Sequence, residues 1–438
     1  MAQKAIREYD AKRLLAAHWQ EFVPDLPPYQ GNVAQVDPLT DLSDLPGRHP
    51  WLLDHRLVVK PDVLAGKRGK HGLVRLDASW PEVVDWLSEQ RGRTTVIDGV
   101  TGDLTHFVIE PFIATQAEYY IALRTEADAD VLLFSRTGGI NVEANWAQVK
   151  SWRIPVWPPA GPQARPAWCD ELAAYLPSVV PAAHVPVLTA FAAGLYRMFV
   201  ALGFAFLEIN PLAVNGETVV PLDAKARLDD AASFECAARW GDLAWPTPFG
   251  RAASPAERRV EQLDARTGAS LKLVILNPAG TIWTMVAGGG ASVIYTDTIA
   301  DLGFASQLAN YGEYSGNPST ADTYAYACEV LALLTATTAP ARQSKHLLIG
   351  GGIANFTDVA ETFAGIIQAL REFANRLRAT PVNVYVRRGG PNYAEGLRQI
   401  EQACHEIGVP VQVFGPELHM TRIVTMALVG GAAEEERR

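Results

Sequence analysis

From residue 270 onward the apolar and polar positions repeat one pattern: a short β-branched strand, a glycine loop, then an amphipathic helix. TIWTMVA (281–287) runs into Gly288-Gly289-Gly290, and HLLIG (346–350) runs into Gly351-Gly352 and IANFTDVAETFAGIIQALREFA. VNVYV (382–386) leads to Arg387-Arg388-Gly389-Gly390 and a helical run over 393–408. VPVQVF (409–414) leads to GPELHMTRIVTMAL. Strands apolar at nearly every position must be covered on both faces, so the alternation predicts a parallel sheet between two helical layers. Ligands bind such sheets beyond the carboxyl ends of the strands, where all four loops fall. Neither glycine loop has GxGxxG spacing, which gives a dinucleotide fold little support.

The first half is patterned differently. RLVVK (56–60), LVRLD (73–77) and FVIEPFI (107–113) read as strands, and 118–135 reads as a hairpin around Ala127-Asp128. DELAAYLPSVV and VPVLTAFAAGLYRMFVALG carry apolar residues three and four apart and read as helices. In FLEINPLAVNGETVVPLDAKA (206–226), Asn215-Gly216 between alternating apolar residues is a hairpin signal, because both turn positions need positive φ. A two-residue loop there sets 208 opposite 223 and 210 opposite 221. Leu207, Ile209, Val220 and Leu222 then face a core, while Glu208, Asn210 and Asp223 share the other face. That face is either ordinary solvated strand surface or an oxygen-donor site. The proline-rich stretch 240–259 reads as an interdomain connection, giving domains at 1–245 and 266–438 with a linker over 246–265. A second such stretch, 152–168, is a connection or a loop inside the first domain.

Composition narrows the chemistry. With 438 residues, 48% hydrophobic, the chain can bury a large core, and its net charge of −10 disfavours wholesale binding to nucleic acid or anionic membrane. An anionic substrate needs a local basic pocket instead. The N-terminal stretch lacks the apolar core of a signal peptide, and no run reaches transmembrane length. Cys169, Cys236, Cys328 and Cys404 form no CxxC pair, so free thiols and a cytoplasmic location are expected.

GKRGKHG (66–72) is not a Walker A loop, but its glycines let backbone approach a phosphate while Lys60, Arg68 and Lys70 supply charge. A basic surface turn has the same composition. Asn210 and Asp223 are close enough to share one magnesium ion, which takes few protein ligands beside phosphate and water, with Glu208 beside it. In the second half, backbone N–H groups at 288–290 and 350–352 and the fork of Arg388 suit a carboxylate ligand. Asn355 and Thr357 either contact that ligand or cap the next helix, and one or both of Arg387 and Arg388 are otherwise solvated charges. Of the nine histidines, His71 and His419 come nearest to a glycine loop after a strand and read as surface or capping residues, and no GxSxG motif occurs, so a nucleophile is missing.

These residues carry a resemblance. REYDAKRLLAAH, LVVKPDVLAGKRGKHG, LEINPLAV with LDAKA, and WGD resemble the β-subunit of nucleotide-dependent acyl-CoA synthetases. IWTMVAGGGASVIYTDTIADLG, LANYGEYSGNPST, IGGGIANFTDVAETFAGI, VRRGGPNYAEGLR and PVQVFGPELHMTRIVTMAL resemble the ATP-citrate lyase branch, over almost the whole chain. The resemblance implies an α/β chain: an ATP-grasp domain followed by a doubly wound, flavodoxin- or Rossmann-like citrate-binding domain. It implies nucleotide contacts at Lys60, Arg68 and Gly69, and adenine and ribose contacts at Pro111, Ile113 and Glu118. Magnesium falls to Asn210 and Asp223, and Glu208 matches the glutamate that contacts a phosphohistidine. Citrate falls to Ser315, Gly316, Asn355, Thr357 and Arg388. Gly352 stands where animal-type relatives have serine, the 336–345 connection is slightly longer, and the 113–118 segment is shorter. The implied cofactors are ATP and Mg2+, with CoA bound mainly by a larger partner subunit that carries the active-site histidine and a citrate-synthase-like part. The implied activity is formation of citryl-CoA and, on the partner, its cleavage to acetyl-CoA and oxaloacetate. A citryl-CoA synthetase with a separate lyase, a succinyl-CoA-type synthetase, a stand-alone ATP-grasp ligase and a citrate sensor are the alternatives.

Overall fold

Residues 3–139, 142–155, 167–336 and 344–430 are described by this computed structural model, in two units divided between Ala252 and Ala253. Part of the second proline-rich run (156–166) and most of the 336–345 connection (337–343) lie outside the described residues.

In the first unit the alternating runs pair into a seven-stranded antiparallel sheet. Its order is Gln3–Ile6, Ala224–Asp229, Phe204–Asn215, Ala117–Thr125, Ala129–Ser135 and Lys150–Pro155, with Thr218–Pro221 also paired to Phe204–Asn215. Leu207, Ile209, Leu212 and Val214 bury one face of this sheet against Leu15 and Trp19 of helix Glu8–Phe22 and Phe191, Leu195 and Met198 of helix His184–Ala201. By length and composition His184–Ala201 could cross a membrane, contrary to the expectation that no run is long enough. Its Val187, Leu188, Phe191, Met198 and Phe199 are buried, as in the core helix of a globular domain. A four-stranded antiparallel sheet, ordered Ala34–Val36, Phe107–Pro111, Leu57–Pro61 and Arg75–Ala78, has its own core with helix Trp80–Gln90. Asp62, just past Leu57–Pro61, ties this sheet to helix Glu8–Phe22: its carboxylate accepts the N–H groups of Glu8 at 2.8 Å and Tyr9 at 3.2 Å. An acid at a helix N-terminus satisfies orphan donors and meets the positive end of the dipole.

The Ala127-Asp128 hairpin forms as expected, with Thr125 paired to Asp130. The Asn215-Gly216 hairpin forms two residues out of the expected register. Asn215 pairs with Thr218, so Gly216 and Glu217 make the loop, and Gly216 carries the positive φ of 61°. The cause is the Asn215 side chain, which accepts from the Gln116 N–H at 2.8 Å and donates to the Ala114 carbonyl at 2.9 Å. Glu208 therefore lies opposite Lys225, and the Asn210 N–H donates to the Asp223 carbonyl at 3.0 Å. A bulge between Ile209 and Leu212, at the cis Asn210–Pro211 bond, reverses the alternation. Val219 rather than Val220 consequently joins the core. Within the proline-rich 240–259 stretch, residues from Pro255 begin a helix, Pro255–Asp264, started by a Ser254–Glu257 capping box.

The second unit is a six-stranded sheet ordered Ser270–Ile275, Asn310–Ser315, Ile282–Ala287, Lys345–Gly351, Val382–Arg387 and Val411–Phe414. The first strand is antiparallel and the other five are parallel. Numbered along the chain, those five run 2-1-3-4-5, the flavodoxin-like order, whose ligand crevice lies at the ends of the first and third strands. Ile282–Ala287 is buried throughout: Trp283 and Met285 face one core, Ile282 and Val286 the other. On the first of these faces helices Thr320–Ala336 and Val359–Glu372 pack closely because Gly365 has no side chain.

Two outcomes follow from this packing. A methyl at Gly365 would sit 2.2 Å from Thr323 Oγ1 and 2.3 Å from the Thr320 carbonyl. Gly365→Ala is expected to destabilise the second unit by about 1–3 kcal/mol, read as a lowered thermal midpoint. Burial raises Asp62 to about 6, with Glu8 adding to the shift. The folded state then keeps a proton that the unfolded chain releases, so this group's stabilisation is full near pH 4 and is lost as pH rises through 6. Urea unfolding of wild type and Asp62→Asn should show the wild-type advantage shrinking by roughly 3 kcal/mol between about pH 3 and pH 7, whereas a pH-independent difference would contradict it.

Candidate active site

In the first unit Lys60, near the end of strand Leu57–Pro61, and Arg68, from the following loop, meet Leu222 and Asp223, which follow strand Thr218–Pro221. Lys60 Nζ lies 2.7 Å from Glu8, 3.0 Å from Glu110 and 3.9 Å from Asp223, and donates to the Leu222 carbonyl at 2.8 Å. Arg68 Nη2 bridges Glu8 at 2.8 Å and Asp223 at 2.6 Å, while Nη1 donates to the Pro61 carbonyl at 2.9 Å. Lys12 Nζ joins Glu8 at 2.8 Å, Glu110 and the Leu222 carbonyl. Burial alone would pull the Lys60 ammonium down, but Glu110 and Glu8 outweigh it and hold the pKa above the ordinary lysine value. Burial would likewise raise Glu8, yet Lys12, Lys60 and Arg68 hold it well below the usual carboxylate range. Pairing thus outweighs burial for Lys60 and Glu8, whereas at Asp223 burial wins over Arg68 and raises the carboxyl above its ordinary value. The rest of the basic loop does not take part: Lys70 is exposed, Lys67 pairs with Asp98 at 3.6 Å, and Gly69 is exposed in the turn that aims Arg68 inward.

Asn210 and Asp223 come together with this cluster. Asn210 Oδ1 accepts the Gly139 N–H at 2.5 Å, and one Asp223 oxygen accepts Arg68, so each side chain retains oxygen acceptor capacity. Two hard oxygen donors on neighbouring backbone fit a magnesium ion that takes its other ligands from phosphate and water. Glu118 borders the same turn, where the Gly138 N–H donates to the Glu118 carbonyl at 3.1 Å and its carboxylate accepts Thr115 at 2.9 Å. Pro111 ends its strand opposite Leu57, and Ile113 is half-buried beyond it; neither has a hydrogen bond to the charged cluster. Glu208 sits two residues before Asn210 on the half-buried sheet face and accepts the Tyr120 hydroxyl at 3.1 Å.

The five expected anion contacts of the second unit gather at the carboxyl ends of its parallel strands. Gly288, with φ of 96°, opens directly into helix Gly289–Asp301, but the Glu313 carboxylate packs so closely that a methyl at Gly289 would meet it at 2.6 Å. The 350–352 glycines differ from expectation: the strand continues to Gly351 and the helix starts at Val359. Asp358 is its N-cap, accepting the Glu361 N–H at 3.0 Å. Asn355 and Thr357 are thus not caps, and their side chains make no hydrogen bond among the described residues. Ser315 ends the neighbouring strand beside Gly288, whose N–H donates to the Tyr314 carbonyl at 3.0 Å, and Gly316 follows with φ of 74°.

The expectation of a solvated arginine is overturned: Arg387 and Arg388 are both buried, at 4% and 5% exposure. Arg387 donates to the carbonyls of Gly351, Leu418 and Pro416 at 3.0, 2.8 and 3.2 Å. Arg388 Nη1 donates to the Gly352 carbonyl at 2.8 Å, and its enclosed Nε has no partner. Neither forms an ion pair with a carboxylate among the described residues. Burial, with Arg387 alongside, holds Arg388 below the usual arginine value. The enclosed Tyr314 hydroxyl, without a partner among the described residues, and the Tyr295 hydroxyl, which meets the Gly351 backbone, both lie near Arg388. Sequence reasoning did not find Glu8, Lys12, Tyr295 or Tyr314. For the first two the signal is an acid and a lysine four apart in YDAK's own helix, which reads as a surface pair.

Comparison with known proteins agrees over both units. Residues 2–240 match the ATP-citrate synthase ATP-grasp domain, and residues 251–430 match the ATP citrate lyase citrate-binding domain. An ATP-citrate synthase alpha chain of Oryza sativa is 46% identical over 98% of both chains. Homo sapiens ATP-citrate synthase is 44% identical over 98% of this chain, which corresponds to 38% of the human protein. The structure of ATP citrate lyase from Methanothrix soehngenii in complex with citrate and coenzyme A is 47% identical, covering 98% of this chain and all of that one with a TM-score of 0.87. With an ATP-grasp unit, a flavodoxin-ordered unit and these matches end to end, the chain belongs to the ATP-citrate synthase (ATP-citrate lyase) alpha-chain family.

Proposed function

We propose that this chain is the ATP- and citrate-binding subunit of ATP-citrate lyase, active with a larger partner subunit in the cytoplasm. The observation that carries the reading is the pair of buried guanidinium groups, Arg387 and Arg388, held among the described residues by carbonyls alone at the ligand end of the second sheet. Buried charge without a counter-charge is costly, and a multiply charged carboxylate resolves it. In a chain of net charge −10 this is the local positive site that an anionic substrate requires.

In this reading residues 1–245 form the nucleotide domain and 266–438 the citrate domain. Lys60, Arg68 and the Gly69 turn face the nucleotide phosphates, while Pro111, Ile113 and Glu118 border adenine and ribose. Magnesium, held by Asn210 and Asp223, would neutralise developing charge on the phosphates. The γ-phosphoryl group passes to a histidine of the partner, which Glu208 meets, and from there to a citrate carboxylate. Citrate is held by Ser315, Gly316, Asn355, Thr357 and Arg388. CoA, bound mainly by the partner, displaces phosphate from citryl phosphate to give citryl-CoA, and the partner cleaves it to acetyl-CoA and oxaloacetate. The chain's own contribution is positioning and electrostatic stabilisation, which dominates phosphoryl transfer.

The test is ATP-dependent citryl-CoA formation by the chain reconstituted with its partner. Arg388→Ala should raise the citrate KM about 100-fold, since truncating one member of a buried charged contact costs roughly 2–5 kcal/mol, and leave the ATP KM unchanged. Arg388→Lys should restore only part of the loss, because an ammonium lacks the bidentate fork. Unaltered citrate saturation in Arg388→Ala would remove the assignment.

A further inference from the structure

The three cations and three carboxylates of the first unit's cluster are not equally deep. The Lys12 side chain is fully enclosed and Glu8 is 2% exposed, whereas Lys60, Arg68 and Glu110 are 6%, 10% and 11% exposed and Asp223 is 42% exposed. The cluster opens toward Asp223, and Lys12 lies at its closed end, out of reach of a ligand. Its Nζ shares all three acceptors with Lys60: both ammonium groups donate to the Leu222 carbonyl at 2.8 Å, and both pair with Glu8 Oε1, at 2.8 Å for Lys12 and 2.7 Å for Lys60. Glu110 is divided between them, Oε2 to Lys12 and Oε1 to Lys60 at 3.0 Å. Each lysine thus fixes where the other can sit.

The arrangement has a consequence for charge as well as position. Remove Lys12, and two full carboxylates remain to be neutralised by Lys60 and by Arg68, which also serves Asp223. Attraction between buried charges is strong in this medium, so Lys60 would be drawn inward onto Glu110 and Glu8 and away from the open end. With Lys12 present, the inner carboxylates are matched from behind.

We infer that Lys12 is a positioning residue for nucleotide binding: paired with Glu8 and Glu110 at the closed end of the cluster, it holds Lys60 and Arg68 available to phosphate at the open end. This rests on the reading of Lys60 and Arg68 as the phosphate-facing cations. A purely structural role for Lys12, fastening helix Glu8–Phe22 to the sheets, would change stability without a selective effect on one ligand.

The full chain is titrated with MgATP and, separately, with citrate by calorimetry. The variant Lys12→Met removes the cation behind the inner carboxylates and leaves Glu8 and Glu110 to draw Lys60 and Arg68 inward. Its MgATP affinity should fall about tenfold or more, the effect of a small displacement of positioning groups, with citrate affinity unchanged. Affinity for MgATP within twofold of wild type overturns the inference, as does an equal loss for both ligands. Should Lys12→Met fail to fold, Lys12→Gln removes the charge while keeping a donor toward the Leu222 carbonyl and is expected to show the same selective loss; wild-type MgATP affinity there overturns the inference equally. Lys60→Met separates the two claims. If it leaves MgATP binding intact, the reading of Lys60 is wrong; if it weakens binding while the Lys12 variants do not, only the positioning role is wrong.

Discussion

The first unit depends on a single electrostatic constraint: charges that leave water must be matched one for one. Glu8, Lys12, Lys60, Arg68, Glu110 and Asp223 come from a helix, a loop and strands or strand ends of two different sheets, and each finds its counter-charge only when all of these meet. Such a cluster adds little net stability over an apolar core, since desolvation offsets most of the attraction. What it imposes is geometry. A missing member leaves an uncompensated charge, so alternative packings of helix Glu8–Phe22 against the two sheets are disfavoured. The Leu222 carbonyl, receiving both lysines, carries the same demand into the backbone just before Asp223.

The second unit solves the opposite problem. Arg387 and Arg388 are as buried as Lys60, yet their donors go to backbone carbonyls of Gly351, Gly352, Pro416 and Leu418. Carbonyls satisfy hydrogen bonds without cancelling charge, so position is fixed while the positive potential survives. Gly351 makes this possible: a methyl there would fall 2.8 Å from Arg388 Nη1. The glycines after HLLIG therefore serve the arginine's approach, and the helix they were expected to open begins only at Val359.

Much of this was legible beforehand, and the misses have physical causes. The α/β alternation over 281–428 gave the parallel sheet and its functional edge, because strands buried on both faces leave an unbroken apolar signature. The hairpin's register was missed because Asn215 spends its side chain on residues 114 and 116, a long-range contact that local turn rules do not contain. Helix Pro255–Asp264 carried a readable capping box in Ser254 and Glu257, hidden by the prolines around it. Lys12 and Glu8 were invisible for another reason. An acid and a lysine four apart on an amphipathic helix describe a solvated pair equally well, and only the strands from 57 and 107 reveal that the face is covered. Burial of Arg387 and Arg388 was likewise unreadable, since a doubled arginine after a strand has the composition of a surface loop.

The two solutions suit the two kinds of anion in the proposed reaction. A nucleotide's phosphates arrive with a magnesium ion that brings its own positive charge, so the protein cations beside them can already be paired, and carboxylate and amide oxygens belong in the same site. Citrate brings no counter-ion, and a site for it must keep unneutralised cations. That site raises the free energy of the empty native state, and ligand binding recovers it by mass action. A chain of net charge −10 therefore concentrates its uncompensated positive charge at one sheet edge, where long-range repulsion from the rest of the protein is overcome by short-range, desolvated contact. Glu208 fits the same logic from the other side. Half-buried on the sheet face two residues before Asn210 and accepting the Tyr120 hydroxyl, it is the acid that the proposed reaction assigns to the partner's histidine.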